Sequence, residues 1–143
     1  MPAVTTDAYG HRSQTTVGPL GAALSAGAVS TTAVGTIVPT TAAGASPTVT
    51  SVSANDTGGT FTLNPVTGGG AQAAGAVAQV FFKQPYAATP TAVLVNVVDQ
   101  AAGSGGVAVA AAASTITTTG FTVNVSAALT TAHNYTVTYH VLA

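Results

Sequence analysis

Strict alternation of apolar and polar residues over two segments constrains the fold of this chain more than any other feature. Apolar residues occupy every other position from 121 to 125 in the first segment and from 135 to 141 in the second. Side chains on one side of a strand repeat every two residues, whereas a helix needs a repeat of 3.6. Both segments are therefore expected to be β-strands with one face in a core and one polar face.

Five further runs rich in β-branched and aromatic residues lie between residue 48 and the first of these segments, separated by Gly, Pro, Asn and Ser. Such runs between turn-forming residues are typical of short strands. The seven strands are expected at 48–54, 59–64, 76–84, 91–98, 106–116, 120–126 and 134–142. No stretch is amphipathic enough for a useful helix, so the pattern predicts an all-β fold: an antiparallel β-sandwich of about seven strands over residues 48–143.

Three local features carry more detailed expectations. The segment 55–59 predicts a tight turn between the first two strands, and 117–120 predicts a hairpin in which Gly120 is free to adopt a positive φ. The strand at 91–98 has apolar residues on both faces, which indicates a central strand or a subunit interface. The glycines at 68–70 lack the Lys and Ser/Thr of a phosphate-binding loop and are interpreted as a flexible β–β connection.

Residues 1–47 differ from the rest because they are rich in small residues and lack a sustained period. Small side chains bury too little area to offset the entropy lost when the chain is ordered. We therefore expect an extended N-terminal arm, 1–47, that becomes ordered on neighbouring subunits. No basic segment followed by an apolar one begins the chain, so we expect no secretory signal, and synthesis and assembly in a cytoplasm.

Charge is scarce: only 3% of the 143 residues are charged, against roughly 25% in an average soluble domain. A domain that stays soluble alone normally carries interspersed charges, so this surface is expected to pack against neighbours. The net charge of -1 offers no basic patch for nucleic acid, and the apolar runs are too short for a membrane-spanning helix. Cysteine is absent, which excludes disulfides and thiolate metal sites.

Few residues could carry chemistry, and they are His11, His133 and His140, with Asp56 or Asp99 as partners. Their spacing resembles no zinc or calcium site, and a paired-carboxylate hydrolase would need two carboxylates brought together. The histidines are more simply explained by hydrogen bonding in solvent or at an interface. We expect no enzyme activity, no catalytic, cofactor-binding or metal-binding residue, and no cofactor.

Aromatic residues offer a second kind of candidate site, since aromatic faces can stack on sugars. The six residues concerned are Phe81, Phe82, Tyr86, Phe121, Tyr135 and Tyr139. Their alternation within strands favours packing in the core or between subunits over a sugar-stacking platform.

Several short motifs occur in a particular order along the chain. They are Asn-Asp-Thr-Gly-Gly-Thr-Phe at 55–61, Val80-Phe81-Phe82, Pro85-Tyr86, Pro90 before the Val-rich strand, Gly-Phe-Thr-Val at 120–123 and Tyr-Thr-Val-Thr-Tyr at 135–139. Over residues 50–143 this order resembles a β-sandwich module common in phage virion proteins, and its second half is similar to the H-type lectin pattern. The resemblance implies a trimer and, in some members, a sugar bound at the surface or between protomers.

The chain departs from the lectin pattern in its last strand, where Tyr139-His140 stands in place of a tryptophan. It also has hardly any charged side chains to hold a sugar. No lectin binding residue is therefore carried over to this sequence.

These observations predict a structural protein of the phage virion, a capsid decoration (cementing) protein. It is expected to form a homotrimer on the capsid surface and to bind the outer surface of the major capsid protein lattice, with the arm along the lattice and the sandwich outside. Apolar surface buried between subunits would favour the assembled shell. The alternative is a tail-fibre or receptor-binding module that recognises a host carbohydrate, although such a protein usually carries a longer shaft; a hydrolytic enzyme is a weaker third hypothesis.

Overall fold

The computed structural model describes residues 33–65, 72–101 and 106–143, together with the backbone of 4–6 and 12–14. The strands are β1 (Val4–Thr6), β2 (Arg12–Gln14), β3 (Thr36–Pro39), β4 (Thr48–Asn55), β5 (Gly58–Asn64), β6 (Gly75–Phe81), β7 (Ala92–Asp99), β8 (Val107–Val109), β9 (Ala111–Thr117), β10 (Gly120–Val125) and β11 (Tyr135–Leu142). In the described residues the only helical element is one 3-10 turn, Thr41–Ala43.

Two antiparallel sheets pack together and form a β-sandwich, which confirms the predicted fold class. The four-stranded sheet has the order β3-β6-β10-β9, and the five-stranded sheet has the order β4-β5-β11-β7-β8. Strands β1 and β2 pair with each other, antiparallel, in a separate two-stranded sheet.

All seven predicted strands are present, with two changes in their extent. The predicted strand 106–116 is divided at Ala110 into β8 and β9, which belong to different sheets. The predicted strand 76–84 ends at Phe81, because the following backbone turns to meet Asp56.

The structure also places part of the segment assigned to the arm in the sandwich. Strand β3 pairs with β6 from Thr36 to Pro39, and Ala43 is fully buried in the core. The sandwich strands therefore begin at residue 36, not at 48. Most of the remaining arm, 1–32, lies outside the described residues, as do the glycines at 68–70.

Both open sides of the sandwich are joined by chain that runs between the sheets. On one side, β8 pairs with β7 in one sheet and β9 continues into the other sheet after Ala110. On the other side, the N–H of Val34 donates to the carbonyl of Ala54, 3.0 Å away, so the chain that leads into β3 is hydrogen-bonded to β4.

The core lies between the sheets and is built by the predicted alternation. On β11, Tyr135, Val137, Tyr139 and Val141 are all buried. Their neighbours across the strand pairs are also core residues, for example Phe61 beside Val137. Burial of large apolar side chains on both inner faces is the main stabilising contribution in a fold of this kind.

One local expectation is wrong, and a second, for β7, is confirmed only in part. Gly120 does not have a positive φ. A glycine is required there because a Cβ would lie 2.2 Å from the carbonyl oxygen of Val80. The strand predicted to have two covered faces, β7, is internal in its sheet, but Leu94 on its outer face is 60% exposed.

Candidate functional site

The turn between β4 and β5 is organised by two side chains that hold backbone N–H groups. The Asn55 side-chain oxygen accepts hydrogen bonds from the N–H groups of Thr57 (2.9 Å) and Gly58 (3.0 Å). Asp56 is fully buried, and its carboxylate accepts hydrogen bonds from the N–H groups of Lys83 (2.6 Å) and Gln84 (3.0 Å). The predicted turn is thus confirmed, and its one carboxylate connects it to the chain that follows β6.

Two buried tyrosines complete this connection. The Tyr86 hydroxyl donates to the carbonyl of Asp56 (2.7 Å), and the Tyr139 hydroxyl donates to the carbonyl of Asn55. Burial, and to a lesser extent the charge of Asp56, raises the pKa of Tyr86 to about 12. The same causes raise the pKa of Tyr139 as well. The hydrogen bonds that Lys83 and Gln84 donate to the Asp56 carboxylate stabilise the fold, so we assign this carboxylate a structural role.

A second polar cluster brings together two of the residues considered for chemistry, His133 and Asp99. Nδ1 of His133 lies 2.8 Å from Oδ2 of Asp99, and the His133 ring stacks on Tyr135. The hydrogen bond from His133 lowers the pKa of Asp99, and a backbone bond from Ala101 acts in the same direction. The Thr130 N–H donates to the Tyr135 hydroxyl, 2.7 Å away.

In several nucleophilic sites a carboxylate orients a histidine. Such a site also needs a hydroxyl or thiol nucleophile that is hydrogen-bonded to the other ring nitrogen. Among the described residues, no group of three or more His, Cys, Asp or Glu side chains could hold a metal ion. The hydrogen bond between His133 and Asp99 attaches the loop before β11 to the end of β7. The Gln100 N–H donates to the Asn134 carbonyl, 2.7 Å away, and strengthens the same connection.

The remaining candidate residues are not brought to this pair. Asp99 lies beside Tyr135 at one end of β11, whereas the Asp56 turn precedes Gly58, which pairs with His140 near the other end. Five residues of strand separate these positions, a distance of about 17 Å. Asp56 and Asp99 therefore do not form a paired-carboxylate site. His140 is exposed on the outer face of β11, and His11 lies outside the described residues.

The outer face of the five-stranded sheet carries rows of hydroxyl and amide side chains. One row runs across three strands through Thr50, Thr62 and Thr136. The Asn64 amide donates to Thr50 (3.0 Å) along the β4–β5 edge of this face. Exposed Leu94 and Leu142 lie near each other, since Leu94 pairs with His140 two residues before Leu142. This face is uncharged, polar at one side and apolar at the other.

The outer face of the four-stranded sheet contains a shallow groove of about 220 Å³. Its floor is formed by Gly120 and by Thr122, which is only 7% exposed although it was expected on a polar face. Phe81 stands beside Gly120 on β6, and Thr117 stands on its other side on β9. The groove is therefore the gap left by the missing side chain of Gly120.

The structure separates the six aromatic residues that the sequence grouped together. Five of them are buried, and aromatic contacts join four of the five: Phe82 with Tyr86, Phe82 with Phe121, and Phe121 with Tyr139. Phe81 differs, because its side chain is 42% exposed. Adjacent residues of a strand point to opposite faces, so the sequence indicates that Val80 and Phe81 do not both face the core.

Within the described residues, no helix is long and apolar enough to cross a membrane. The chain was also compared with known proteins. No family model, curated protein or solved structure gives a significant match.

Proposed function

We propose that this protein is a non-enzymatic structural protein of a bacteriophage particle: a trimeric capsid decoration protein that binds the outer surface of the major capsid lattice. The sandwich lies outside the shell, and the segment before residue 33 supplies the attachment. The phage context of this proposal comes from the resemblance of residues 50–143 to virion β-sandwich modules.

The observation that carries the proposal is the chemistry of the surface. In strands β3–β11 the only charged residue is Asp99, and it is paired with His133. The outer faces of both sheets are therefore neutral. Monomeric proteins usually depend on exposed charges of both signs to remain apart, so a neutral outer surface favours a protein that works within an assembly.

Exposed apolar side chains on both sheets also support the proposal. Leu94, Val107 and Leu142 are exposed on the five-stranded sheet, and Val38 and Phe81 are exposed on the four-stranded sheet. Single exposed apolar residues are ordinary in any protein. Without neighbouring charges, however, they add to surfaces whose burial between subunits is favourable. A shell built from one repeated subunit offers the same binding surface many times.

The copy number of the chain in purified particles tests the proposal. Particles of the phage that encodes it would be purified on a density gradient, and the chain would be quantified against the major capsid protein by mass spectrometry. Hundreds of copies per particle are expected for a decoration protein. A few to a few dozen copies would instead favour the tail-fibre or receptor-binding alternative, and absence from particles would contradict both.

A stability assay separates cementing from mere attachment. Particles lacking the protein are expected to release their DNA at a lower temperature than complete particles, because a ligand that binds only the assembled state stabilises it. Adding the purified full chain back should restore the release temperature. Bound protein that leaves this temperature unchanged would contradict a cementing role.

A further inference from the structure

We propose that the free edge of strand β4 binds the β1–β2 strand pair of a second copy of this chain, so that β1 extends the five-stranded sheet. The inference goes beyond the decoration function, because it assigns a contact between copies that forms without any capsid protein. It can therefore fail while the copy number in particles still supports decoration, and the reverse also holds.

Strand β4 forms a long and open sheet edge. It has a neighbour, β5, on one side only, and its eight residues make it as long as the internal strands β7 and β11. Every second residue of such a strand directs its N–H and C=O groups away from the sheet. Natural edges are usually protected by short length, by proline or by charged residues. Strand β4 contains no proline and no charged residue, so its backbone can accept a further strand.

The other edges of the two sandwich sheets are less open. Strand β3 has four residues and ends in Pro39, and β8 has three residues. Strand β9 packs against β7 of the opposite sheet, and the chain enters it directly after β8. Of the four edges of these sheets, β4 is thus the one that combines length with an accessible backbone.

A cleft beside this edge, which we call the edge cleft, separates β4 from β3 and has a volume of about 630 Å³. Its lining consists of residues 33–37 and of Val49, Val52, Ser53 and Ala54 on β4. None of these residues is charged, and the Val52 side chain is 50% exposed. At one end of the cleft the Val34 N–H donates to the Ala54 carbonyl, so the chain that enters β3 covers that end of β4.

An irregularity in β4 sets the length of the strand that can be added. The pairing of β4 with β5 shifts register between Thr50 and Ser53. A bulge of this kind bends the strand and interrupts its edge. The residues after the bulge lie beside the Val34 hydrogen bond, which leaves 48–50 as the regular and open part of the edge. Strand β1 also has three residues, so the two lengths match.

The β1–β2 pair is the part of the chain that needs a further strand. The two strands pair with each other over three residue pairs, in a sheet of their own. An isolated two-stranded sheet is marginally stable in water, and a third strand stabilises it. Strand β1 consists of Val-Thr-Thr, which is uncharged and β-branched, whereas β2 contains Arg12. Because the edge cleft offers no charged partner to a guanidinium group, β1 is the strand that meets β4. Strand β2 then lies outermost, where a charged residue discourages addition of yet another strand.

Chain length allows the pair to reach a second copy. Eighteen residues, 15–32, join β2 to Ala33, which lines the edge cleft. Eighteen residues span at most roughly 60 Å, about twice the length of an eight-residue strand. A single chain leaves both the β1–β2 pair and the β4 edge without this additional pairing. If each copy gives its pair to the next copy, a closed ring completes every edge with the same contact.

Cross-linking between two single-cysteine variants tests the inference, because the chain has no cysteine of its own. Full chains carrying Thr5→Cys in β1 or Thr50→Cys in β4 would be mixed and treated with a short bismaleimide. Thr115→Cys replaces Thr50→Cys in the matched control, since Thr115 is an exposed threonine on the other long edge, β9. The dimer that joins Thr5→Cys to Thr50→Cys is expected in about tenfold higher yield than the control dimer, because strand pairing raises the local concentration of the two thiols.

Hydrogen exchange of the full chain without cysteines provides a second measurement. Thr5→Pro removes an N–H donor from β1 and disfavours its pairing, whereas Thr5→Ala keeps the donor. Peptides covering 48–53 should exchange about tenfold faster in Thr5→Pro than in wild type, and at the wild-type rate in Thr5→Ala.

Three results would each overturn the inference. The first is an equal yield of the Thr50→Cys and Thr115→Cys dimers. The second is cross-linking only within single chains of a Thr5→Cys/Thr50→Cys double variant, which would assign the edge to the β1–β2 pair of the same chain. The third is unchanged exchange of 48–53 in Thr5→Pro. The cross-linking result decides the question even if Thr5→Pro does not fold.

Discussion

Replacing Asp56 provides a sharp test of how this sandwich is held together. The side chain is fully buried, and its two oxygens accept the N–H groups of Lys83 and Gln84 at 2.6 and 3.0 Å. A hydrogen bond to a charged group contributes about 1.5–3 kcal/mol, so Asp56→Ala removes about 3–6 kcal/mol before relaxation. Lys83 and Gln84 are themselves exposed, so water is expected to replace part of the lost hydrogen bonding in the variant. We therefore expect a loss of about 3 kcal/mol.

The variant Asp56→Asn refines this expectation. Its amide has the shape of the carboxylate but only one acceptor oxygen, and its NH₂ group would face a second N–H donor. The loss should lie between wild type and Asp56→Ala. Asp99→Asn is the matched control, since it neutralises a partly exposed carboxylate at the other end of β11.

Urea unfolding followed by circular dichroism and by tyrosine fluorescence measures these differences, because the chain has no tryptophan. With a slope of about 1.5 kcal/mol per molar, a loss of 3 kcal/mol lowers the midpoint by about 2 M. Agreement between the two probes would support a two-state transition. If Asp56→Asn unfolds at the wild-type midpoint, or if Asp99→Asn costs as much as Asp56→Ala, the structural role assigned to the buried carboxylate is wrong.

Two further predictions follow from contacts of the same two sheets. Gly120→Ala forces a methyl group against the Val80 carbonyl oxygen and should cost roughly 3 kcal/mol or more in thermal unfolding. Thr117→Ala, at the cross-strand neighbour on β9, removes a hydroxyl that hydrogen-bonds within the turn and should cost only about 1 kcal/mol. Equal melting temperatures of the two variants would contradict the close approach. Because burial raises the pKa of Tyr86 from 10.0 to about 12, the stability from this group is complete below pH 10 and is lost as the pH rises toward 12. Tyr86→Phe should reduce this alkaline decline without abolishing it, since the pKa of Tyr139 is raised as well. An unchanged decline would refute the assignment.

The sequence predicted the sandwich where one face of a strand is buried and the other is not. On β11 the alternation from Tyr135 to Val141 corresponds directly to burial. The sequence did not predict the short strand β3 or the division of the predicted strand 106–116 into β8 and β9. Strand β3 has four residues and ends in Pro39, and its stability comes from pairing with β6, which lies about forty residues away in sequence. No local pattern contains that information.

The site features were predictable only in part. Six aromatic residues could be identified, but the exposure of Phe81 depends on which face of β6 meets the second sheet. The groove depends on a neighbour, Gly120, whose absent side chain matters only once the register of β6 and β10 is known. The pairing of His133 with Asp99 likewise joins residues separated by 34 positions. Strand register, which is a tertiary property, created all three features.

The position of β11 has a consequence for biosynthesis. The last strand in sequence occupies the middle of its sheet, between β5 and β7. A nascent chain on the ribosome can form the local β4–β5 hairpin early, but the two halves of the five-stranded sheet have no common partner until residues 135–142 emerge. Pairing between distant segments closes slowly, so a prematurely terminated chain should stay open and accessible to cellular proteases. In the proposed assembly, this order would keep incomplete subunits out of the particle.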